Sequence, residues 1–260
     1  MKFSVIIQAR TGSSRLPNKV IKNYKKFNIL DILINRIKKS KLIDKIIIST
    51  TNKKGDIKII NFCKKRKIHF FKGSEKNVLK RYYDTAYKFK LKNIIRLTSD
   101  CPLIDVHTLE KMIKKFRKYK IDFYSNTVPH PCKFPDGSDI EIFNFKTLKR
   151  TYSEAILPSD KEHVTFYMWK YGKFKIKKFN IKKDLSNYRY TVDYQEDFKL
   201  ICSMIDYFGN KIIDIKMKDI IKFIDNNPRL ILYQRNIFRT IGWQKSLEKD
   251  KKFKKNYQIK

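Results

Sequence analysis

The stretch that decides the fold is Phe3-Ser4-Val5-Ile6-Ile7-Gln8-Ala9-Arg10-Thr11-Gly12-Ser13-Ser14-Arg15-Leu16-Pro17-Asn18-Lys19. Its opening is a short apolar run rich in branched side chains, the pattern of a strand buried on both faces. A polar loop with glycine, serines and three cations comes next. Outward from this stretch, β-rich runs at 45–50, 68–71, 93–98 and 122–126 alternate with helical periodicity at 29–39, 56–66, 77–90 and 107–119. That alternation is the mark of βαβ units and predicts an α/β fold with a mostly parallel sheet. In such sheets ligands bind beyond the carboxyl ends of the strands. Two unusual loops fall at such ends, 9–19 and 99–102.

Beyond Asn126 the texture changes. Pro129, Pro131, Pro135 and Gly137 punctuate a loop, 138–143 alternates like a strand, and helices are expected at 145–155 and 159–169. A second alternation covers 174–180. The run Arg189-Tyr190-Thr191-Val192 reads as a short strand ending at Asp193, and helices are expected at 197–208 and 217–225. A competing reading makes Asp193 the N-cap of the helix through Asp197. The main unit is expected over 1–225, with 128–190 as an insertion within it. An extension covers 226–260, its lysine-rich end from Lys249 expected to fray.

A formal net charge of +36 over 260 residues invites a polyanion partner. The basic residues are spread along the chain, as in Lys64-Lys65-Arg66-Lys67 and Lys175-Ile176-Lys177-Lys178. That spread favours a solvated lysine background over a dedicated nucleic-acid surface, so no specific nucleic-acid partner is expected. No apolar run approaches the ~20 residues that cross a bilayer, and the first residues read as a buried strand rather than a secretion signal. No membrane insertion and a cytoplasmic setting are the expectations. Cys63, Cys101, Cys132 and Cys202 are scattered, without C-x-x-C or a Cys/His cluster, which argues against a zinc site or a disulfide framework.

Within 9–19, Gly12 permits close backbone approach to a ligand and a positive φ. Successive amides, with the hydroxyls of Ser13 and Ser14, can line an anion-binding concavity. Arg10 and Arg15 can grip phosphate oxygens bidentately, while Lys19 acts as a mobile point charge. A triphosphate suits this cradle, although the order matches neither the P-loop nor G-x-G-x-x-G. In the second loop Asp100 sets a carboxylate at a strand end. Magnesium prefers one or two carboxylates together with phosphate oxygens and water, so Asp100 beside the cationic loop, with Asp193, is a candidate metal pair. Cys101 adjoins it with no evident general base, which argues against nucleophilic catalysis.

Further segments complete the pattern: Gly73-Ser74-Glu75-Lys76-Asn77-Val78-Leu79-Lys80-Arg81, Arg96-Leu97-Thr98-Ser99-Asp100-Cys101-Pro102, Phe134-Pro135-Asp136-Gly137-Ser138-Asp139-Ile140-Glu141, Glu162-His163-Val164-Thr165 and Tyr190-Thr191-Val192-Asp193. In this order they resemble the cytidylyltransferases that activate acidic sugars, the group of CMP-sialic acid and CMP-3-deoxy-manno-octulosonate synthetases. Similarity is greatest to the spore-coat polysaccharide biosynthesis branch. The resemblance implies a Rossmann-like nucleotidyltransferase fold of the nucleotide-diphospho-sugar transferase type, with a mixed sheet, a small dimerisation insertion and a homodimer. It implies that Arg10, Gly12, Ser13, Arg15 and Lys19 hold the triphosphate of CTP, and that Asp100 and Asp193 ligate Mg2+. Ala9, Gly73, Asn77, Arg81 and Thr98 would shape the nucleotide pocket. Glu141, His163 and Tyr167 would contact the acceptor, an acidic sugar or a related polyol. Arg10, Lys19 and Asp100 carry the catalytic expectation. Ser99 departs from the glycine common before the metal-binding aspartate.

The implied reaction is in-line attack of an acceptor hydroxyl on the α-phosphorus of CTP, with pyrophosphate expelled and an activated sugar supplied for surface polysaccharide. Alignment and charge neutralisation would provide most of the catalysis. Two alternatives stand beside it: a sugar-1-phosphate nucleotidyltransferase making an NDP-sugar, and a basic nucleic-acid-binding protein.

Overall fold

The apolar run Phe3–Gln8 forms an interior strand of the main sheet in the computed structural model, which describes residues 2–237, 239 and 241–257. In chain order the strands are β1 (Phe3–Gln8), β2 (Asn23–Tyr24), β3 (Phe27–Asn28), β4 (Ile43–Thr51), β5 (His69–Gly73), β6 (Asn93–Thr98), β7 (Phe123–Ser125), β8 (Glu141–Asn144) and β9 (Ile176–Lys178). The helices are α1 (Ile29–Ile37), α2 (Ile57–Lys65), α3 (Val78–Lys88), α4 (Val106–Lys118), α5 (Phe145–Glu154), α6 (Pro158–His163), α7 (Phe166–Lys170), α8 (Gln195–Phe208), α9 (Met217–Asn226) and α10 (Ile241–Tyr257).

Among the described residues the main sheet has seven strands in the order β5-β4-β1-β6-β8-β7-β9. Pairing is parallel from β5 through β6, antiparallel on both sides of β8, and parallel again from β7 to β9. This is the mixed, mostly parallel α/β sheet read from the sequence. Because β1 has β4 on one side and β6 on the other, the order reverses beside it. The loops after β1 and β6 therefore flank a topological switch point, where α/β sheets open a crevice.

The helices begin where the sequence supplies caps. Asn28, Asn77, Asp105 and Asn144 each accept the amide three residues on, opening α1, α3, α4 and α5. Apolar side chains of β1, α1 and α4 fill the core on one face of the sheet, and those of α3, β7 and α5 fill the other. α8 and α9 set Leu200, Ile201, Met204, Ile220 and Ile224 with Ile29 and Ile32 of α1 and with Tyr190 and Val192. The backbone just ahead of Asp193 is thus anchored in core.

Three readings are corrected. The expected helix over 159–169 is two helices, because Val164 takes a positive φ of 61° between α6 and α7. The run 189–192 is not a strand; a single bridge joins Arg189 to Asp136. Only 176–178 of the alternating segment 174–180 is strand. The hairpin β2–β3 adds an element between the first loop and α1. Toward the carboxyl end the chain is helical through Tyr257, and the last three residues lie outside the described ones.

Arg36, on α1, is fully buried and donates to three carbonyls, Ile104 O (3.0 Å), Ile212 O (2.6 Å) and Ile215 O (2.7 Å). Burial pulls its guanidinium down to about 10, so it remains charged at neutral pH. It binds the chain after β6 and the turn after α8 to α1. Replacing Arg36 by Met removes donors from three buried carbonyls at once and is expected to cost about 3 kcal/mol or more in urea unfolding at pH 7. A loss below about 1 kcal/mol would show those carbonyls satisfied by other means.

Candidate active site

Local chemistry fixes the loop after β1 at both ends. Near its start, Thr11 donates its amide (2.7 Å) and its hydroxyl (2.6 Å) to Asp56 Oδ1, and Thr51 donates to Asp56 Oδ2. Burial would raise Asp56, but these hydrogen bonds to its charged form hold it below the ordinary aspartate value. At the far end Asn18 adopts the left-handed region, φ 58°, which asparagine tolerates, and Lys19 begins a 3-10 turn over Lys19–Ile21. That reversal sends the Lys19 side chain inward. Gly12, which is free to take a positive φ, does not adopt one; the left-handed residue of the loop is Asn18.

The Lys19 ammonium is buried and donates to Asp100 Oδ2 (3.0 Å), Asp193 Oδ1 (2.8 Å) and the Val192 carbonyl (2.6 Å), so each of its three protons has an acceptor. Two backbone-directed bonds set the spacing of the carboxylates: Val192 N donates to Asp100 O (2.8 Å), and the Thr191 hydroxyl donates to the same oxygen (3.2 Å). Burial opposes charge on Lys19, yet Asp100 and Asp193 together hold it above its ordinary value. For Asp193 burial acts upward, but Lys19, Arg15 and Arg189 depress it well below the usual carboxylate range. Arg15 approaches Asp193 Oδ1 at 2.8 Å, and Arg189 approaches Oδ2 at 3.3 Å.

A larger ionic framework supports this cluster. Arg189 pairs with Asp136 and with Asp197 (3.1 Å), and Arg239 reaches Asp136 (3.8 Å) and Asp139 (3.0 Å). Asp197 also accepts the amides of Asp193 (2.7 Å) and Tyr194 (2.9 Å). The cap of α8 is therefore Tyr194 with Asp197, which corrects the reading of Asp193 as the N-cap. Gly137 makes the close packing possible. Its φ is +103°, and a Cβ there would lie 2.5 Å from Thr191 N. Sequence reasoning passed over Arg189, Asp136, Asp139, Asp197 and Arg239. The one signal for them was Asp136-Gly137-Ser138-Asp139, a turn with more carboxylate than a turn needs.

The other expected site residues fall in three places. Arg10, exposed at the rim, faces Glu75 at 3.5 Å, and Lys53 also reaches Glu75 (2.7 Å). Ala9 and Ser13 belong to the same loop; the Ser13 hydroxyl accepts Leu16 N (3.3 Å) and so turns back on the loop. Gly73 and Arg81 form a second group. Arg81 is buried and donates to the Ser74 carbonyl, and a Cβ on Gly73 would meet Arg81 Cγ at 2.9 Å. Asn77, the cap of α3, adjoins them through Ser74 Oγ (3.0 Å). Thr98 lies against Cys101 Sγ (3.2 Å), whose thiol burial pushes far up, leaving it protonated and inert.

Glu141, His163 and Tyr167 form no single constellation. Glu141 is buried against Arg96 (2.7 Å) and accepts from Thr165 (3.0 Å), and Arg96 reaches Gln8 (3.1 Å) at the end of β1. His163 bonds Ser246 (2.7 Å) and stacks on Phe166. The Tyr167 hydroxyl is bonded to Glu154 (2.8 Å) and Lys173 (2.5 Å). A cavity of about 700 Å³ lined by Ser203, Tyr207, Phe223 and Pro228 shares none of these residues, so chemistry rather than cavity size marks the site.

A topological switch point, a cationic loop and a lysine-bridged carboxylate pair suit an α/β nucleotidyltransferase, and the chain is one. The cytidylyltransferase family matches residues 4–240. A solved cytidylyltransferase from Leptospira borgpetersenii is 34% identical, covers 92% of this chain and 99% of its own, and superposes with a TM-score of 0.84. An uncharacterized protein of Methanocaldococcus jannaschii is 35% identical over 91% of this chain and 96% of its own length. The spore coat polysaccharide biosynthesis protein SpsF of Bacillus subtilis is 29% identical over 86% of this chain and 94% of its own. CMP:2-keto-3-deoxy-manno-octonic acid synthetase, solved with CTP, shares the fold at a TM-score of 0.57 and 16% identity, covering 80% of this chain and 99% of that one. The chain belongs to the cytidylyltransferase family.

Lys19→Met tests the bridge. The variant is expected to lose about 1–3 kcal/mol of stability at pH 7, because two carboxylates lose their common donor. The two pKa shifts set the sign of the pH dependence. The depressed Asp193 stabilises the fold above its unfolded value near ~3.9 and loses that contribution as the pH falls through the lower folded value. The raised Lys19 contributes below ~10.4 and loses its share as the pH rises beyond that. Urea unfolding should therefore show the gap between wild type and variant wide near neutrality and closing in acid. A gap that stays constant into strong acid would contradict the ion-pair origin.

Proposed function

We propose that this cytidylyltransferase uses Mg2+ to transfer CMP from CTP to a hydroxyl of an acidic sugar or related polyol, releasing pyrophosphate, and that its product supplies surface polysaccharide synthesis. The observation that carries the reading is the one point reached by both carboxylates, held 3.0 and 2.8 Å from the Lys19 nitrogen. A hard divalent cation needs one or two carboxylates when phosphate oxygens and water supply the rest. The donor set fits: Asp100 and Asp193 offer hard carboxylate oxygens that converge on one point. The relative SpsF, a spore coat polysaccharide protein, supports the choice of pathway.

Asp100 and Asp193 would hold the ion, which when bound polarises phosphoryl oxygens and offsets their charge. The chain's own residues do the rest. Arg10 and Arg15, on the solvent side of the loop after β1, bind the triphosphate and draw it over β1. Lys19, rigid in its three-acceptor seat, keeps the two carboxylates at fixed separation. Arg189 and Asp197 hold Asp193 from behind. Ala9, Gly73, Asn77, Arg81 and Thr98 form the wall for base and ribose, and Glu141 lies on the acceptor side, fixed by Arg96. His163 and Tyr167 take part through the packing of that side. The enzyme works as a homodimer, as in the family it resembles, and sedimentation equilibrium should return twice the chain mass.

Asp100→Asn is the direct test. With CTP and Mg2+, pyrophosphate release onto sialic acid or 3-deoxy-manno-octulosonate should fall by about 100-fold or more, the scale of several kcal/mol of lost charge stabilisation. Far-UV circular dichroism should be unchanged. A variant that retains wild-type turnover removes Asp100 from the chemistry. A wild type that uses sugar-1-phosphates and ignores free acid sugars replaces the acceptor reading with the NDP-sugar alternative.

A further inference from the structure

The family match ends at residue 240, and α10 begins at Ile241. This added helix packs on α6 through its two buried polar side chains, Ser246 and Asp250. Asp250 Oδ1 accepts the Ser159 amide (2.8 Å) and Oδ2 accepts the Ser159 hydroxyl (2.5 Å). Ser159 sits in the first turn of α6, where amides lack intrahelical partners, and Leu157 at the N-cap has no side-chain cap to offer. A carboxylate at a helix N-terminus also suits its dipole. The cap of α6 is therefore supplied from 91 residues away rather than locally.

At the other end of α6, Ser246 donates its hydroxyl to Trp243 O (2.8 Å) and lies 2.7 Å from His163 Nε2. A hydroxyl has one proton, so it accepts from His163, and burial, which lowers the imidazole to about 4, keeps that ring neutral. The Trp243 ring closes on Phe166 (5.0 Å) and on His130 (4.9 Å) of the proline-rich loop. α10 thus holds both ends of a six-residue helix that has little stability of its own.

The hold matters because of the turn that leaves α6. Val164 adopts φ 61°, ψ −54°, and Thr165 N closes a hydrogen bond to His163 O (2.5 Å), a γ-turn of the strained sign. A β-branched residue at positive φ persists only where its surroundings over-determine it. The turn delivers the Thr165 hydroxyl to Glu141 (3.0 Å), which leads through Arg96 to Gln8 beside the crevice. We propose that α10 is a clamp for the acceptor side: Asp250 and Ser246 are positioning residues that hold α6 and the Val164 turn so that Thr165 stays on Glu141. The clamp is built from residues outside the family's matched span and makes acceptor binding, rather than nucleotide binding, depend on the carboxyl-terminal helix. It rests on the proposed role of Glu141 on the acceptor side.

The test uses the full chain carrying Asp250→Ala, Asp250→Asn or Ser246→Ala. CTP and two acceptor probes, sialic acid and 3-deoxy-manno-octulosonate, are assayed beside hydrogen exchange of the amides from Ser159 to Thr165. In Asp250→Ala, acceptor KM should rise about tenfold while kcat and the KM for CTP stay within about twofold, and the α6 amides should exchange faster. Asp250→Asn keeps an acceptor for the Ser159 amide and should recover most of the affinity. Equal rises in both KM values, or a lowered Tm with unchanged kinetics, overturn the proposal. A wild type inert toward every acceptor overturns the functional reading instead; the clamp is then judged by exchange, and α6 amides no faster in Asp250→Ala overturn it.

Discussion

A lysine ammonium taken out of water must be matched, and the protein around the switch point is organised by that requirement. Lys19 is matched by Asp100, Asp193 and the Val192 carbonyl, three groups on two segments far from it and from each other in the chain. Each segment has an anchor of its own. Asp100 comes just after β6, whose register on β1 is continuous. Val192 is buried with α8 and α9, and its amide ties to Asp100 O. Lys19 arrives through the left-handed turn at Asn18. The ion pair thus records the mutual placement of three separate segments.

The charge at this point runs against the rest of the molecule. The chain carries +36, yet Asp100, Asp193, Asp136, Asp139 and Asp197 face Lys19, Arg15, Arg189 and Arg239. The floor is acidic by one charge while the rim carries Arg10 and the surroundings are basic. On the proposed reading such a gradient suits a metal–triphosphate complex, with anionic phosphates drawn by the rim and the cation by the floor. Arg189 is central to that floor: burial disfavours its charge, but Asp136 and Asp197 hold it on. It also gives Asp193 a cation besides Lys19 and Arg15, so that on the proposed reading this carboxylate would keep its place when Arg15 turns to phosphate.

The parts of the fold legible in the sequence were those written locally. The uniform apolar run of β1, the alternation into α3 and β6, and the polar loops at strand ends announce a parallel sheet with its crevice at one edge. That Asp100 and Asp193 meet beside the cationic loop was also readable, the first from its position after a strand and the second with the help of family resemblance. The rest is tertiary. Nothing around Arg189 says that it spans Asp136 and Asp197, because a charge carries no address. Asp56 reads only as the start of a helix until Thr11 is placed beside it. Val164 lies in a run whose periodicity is helical on both sides, and only the contacts of Thr165 with Glu141 justify its turn. Ser246 and Asp250 sit in a lysine-rich helix with no hint of which residues are buried. His163 and Tyr167 are instructive differently: their types suit a polar site, while their hydroxyl and ring partners are internal ones.

The central claim is that Asp100 and Asp193 share one cation position beneath the loop after β1. Anomalous scattering from crystals soaked with CTP and Mn2+ measures this directly. One manganese peak is expected, about 2.1 Å from a carboxylate oxygen of each aspartate and from a phosphate oxygen. A manganese held by CTP elsewhere, with Lys19 still bridging both carboxylates and no metal within reach of either, would contradict it.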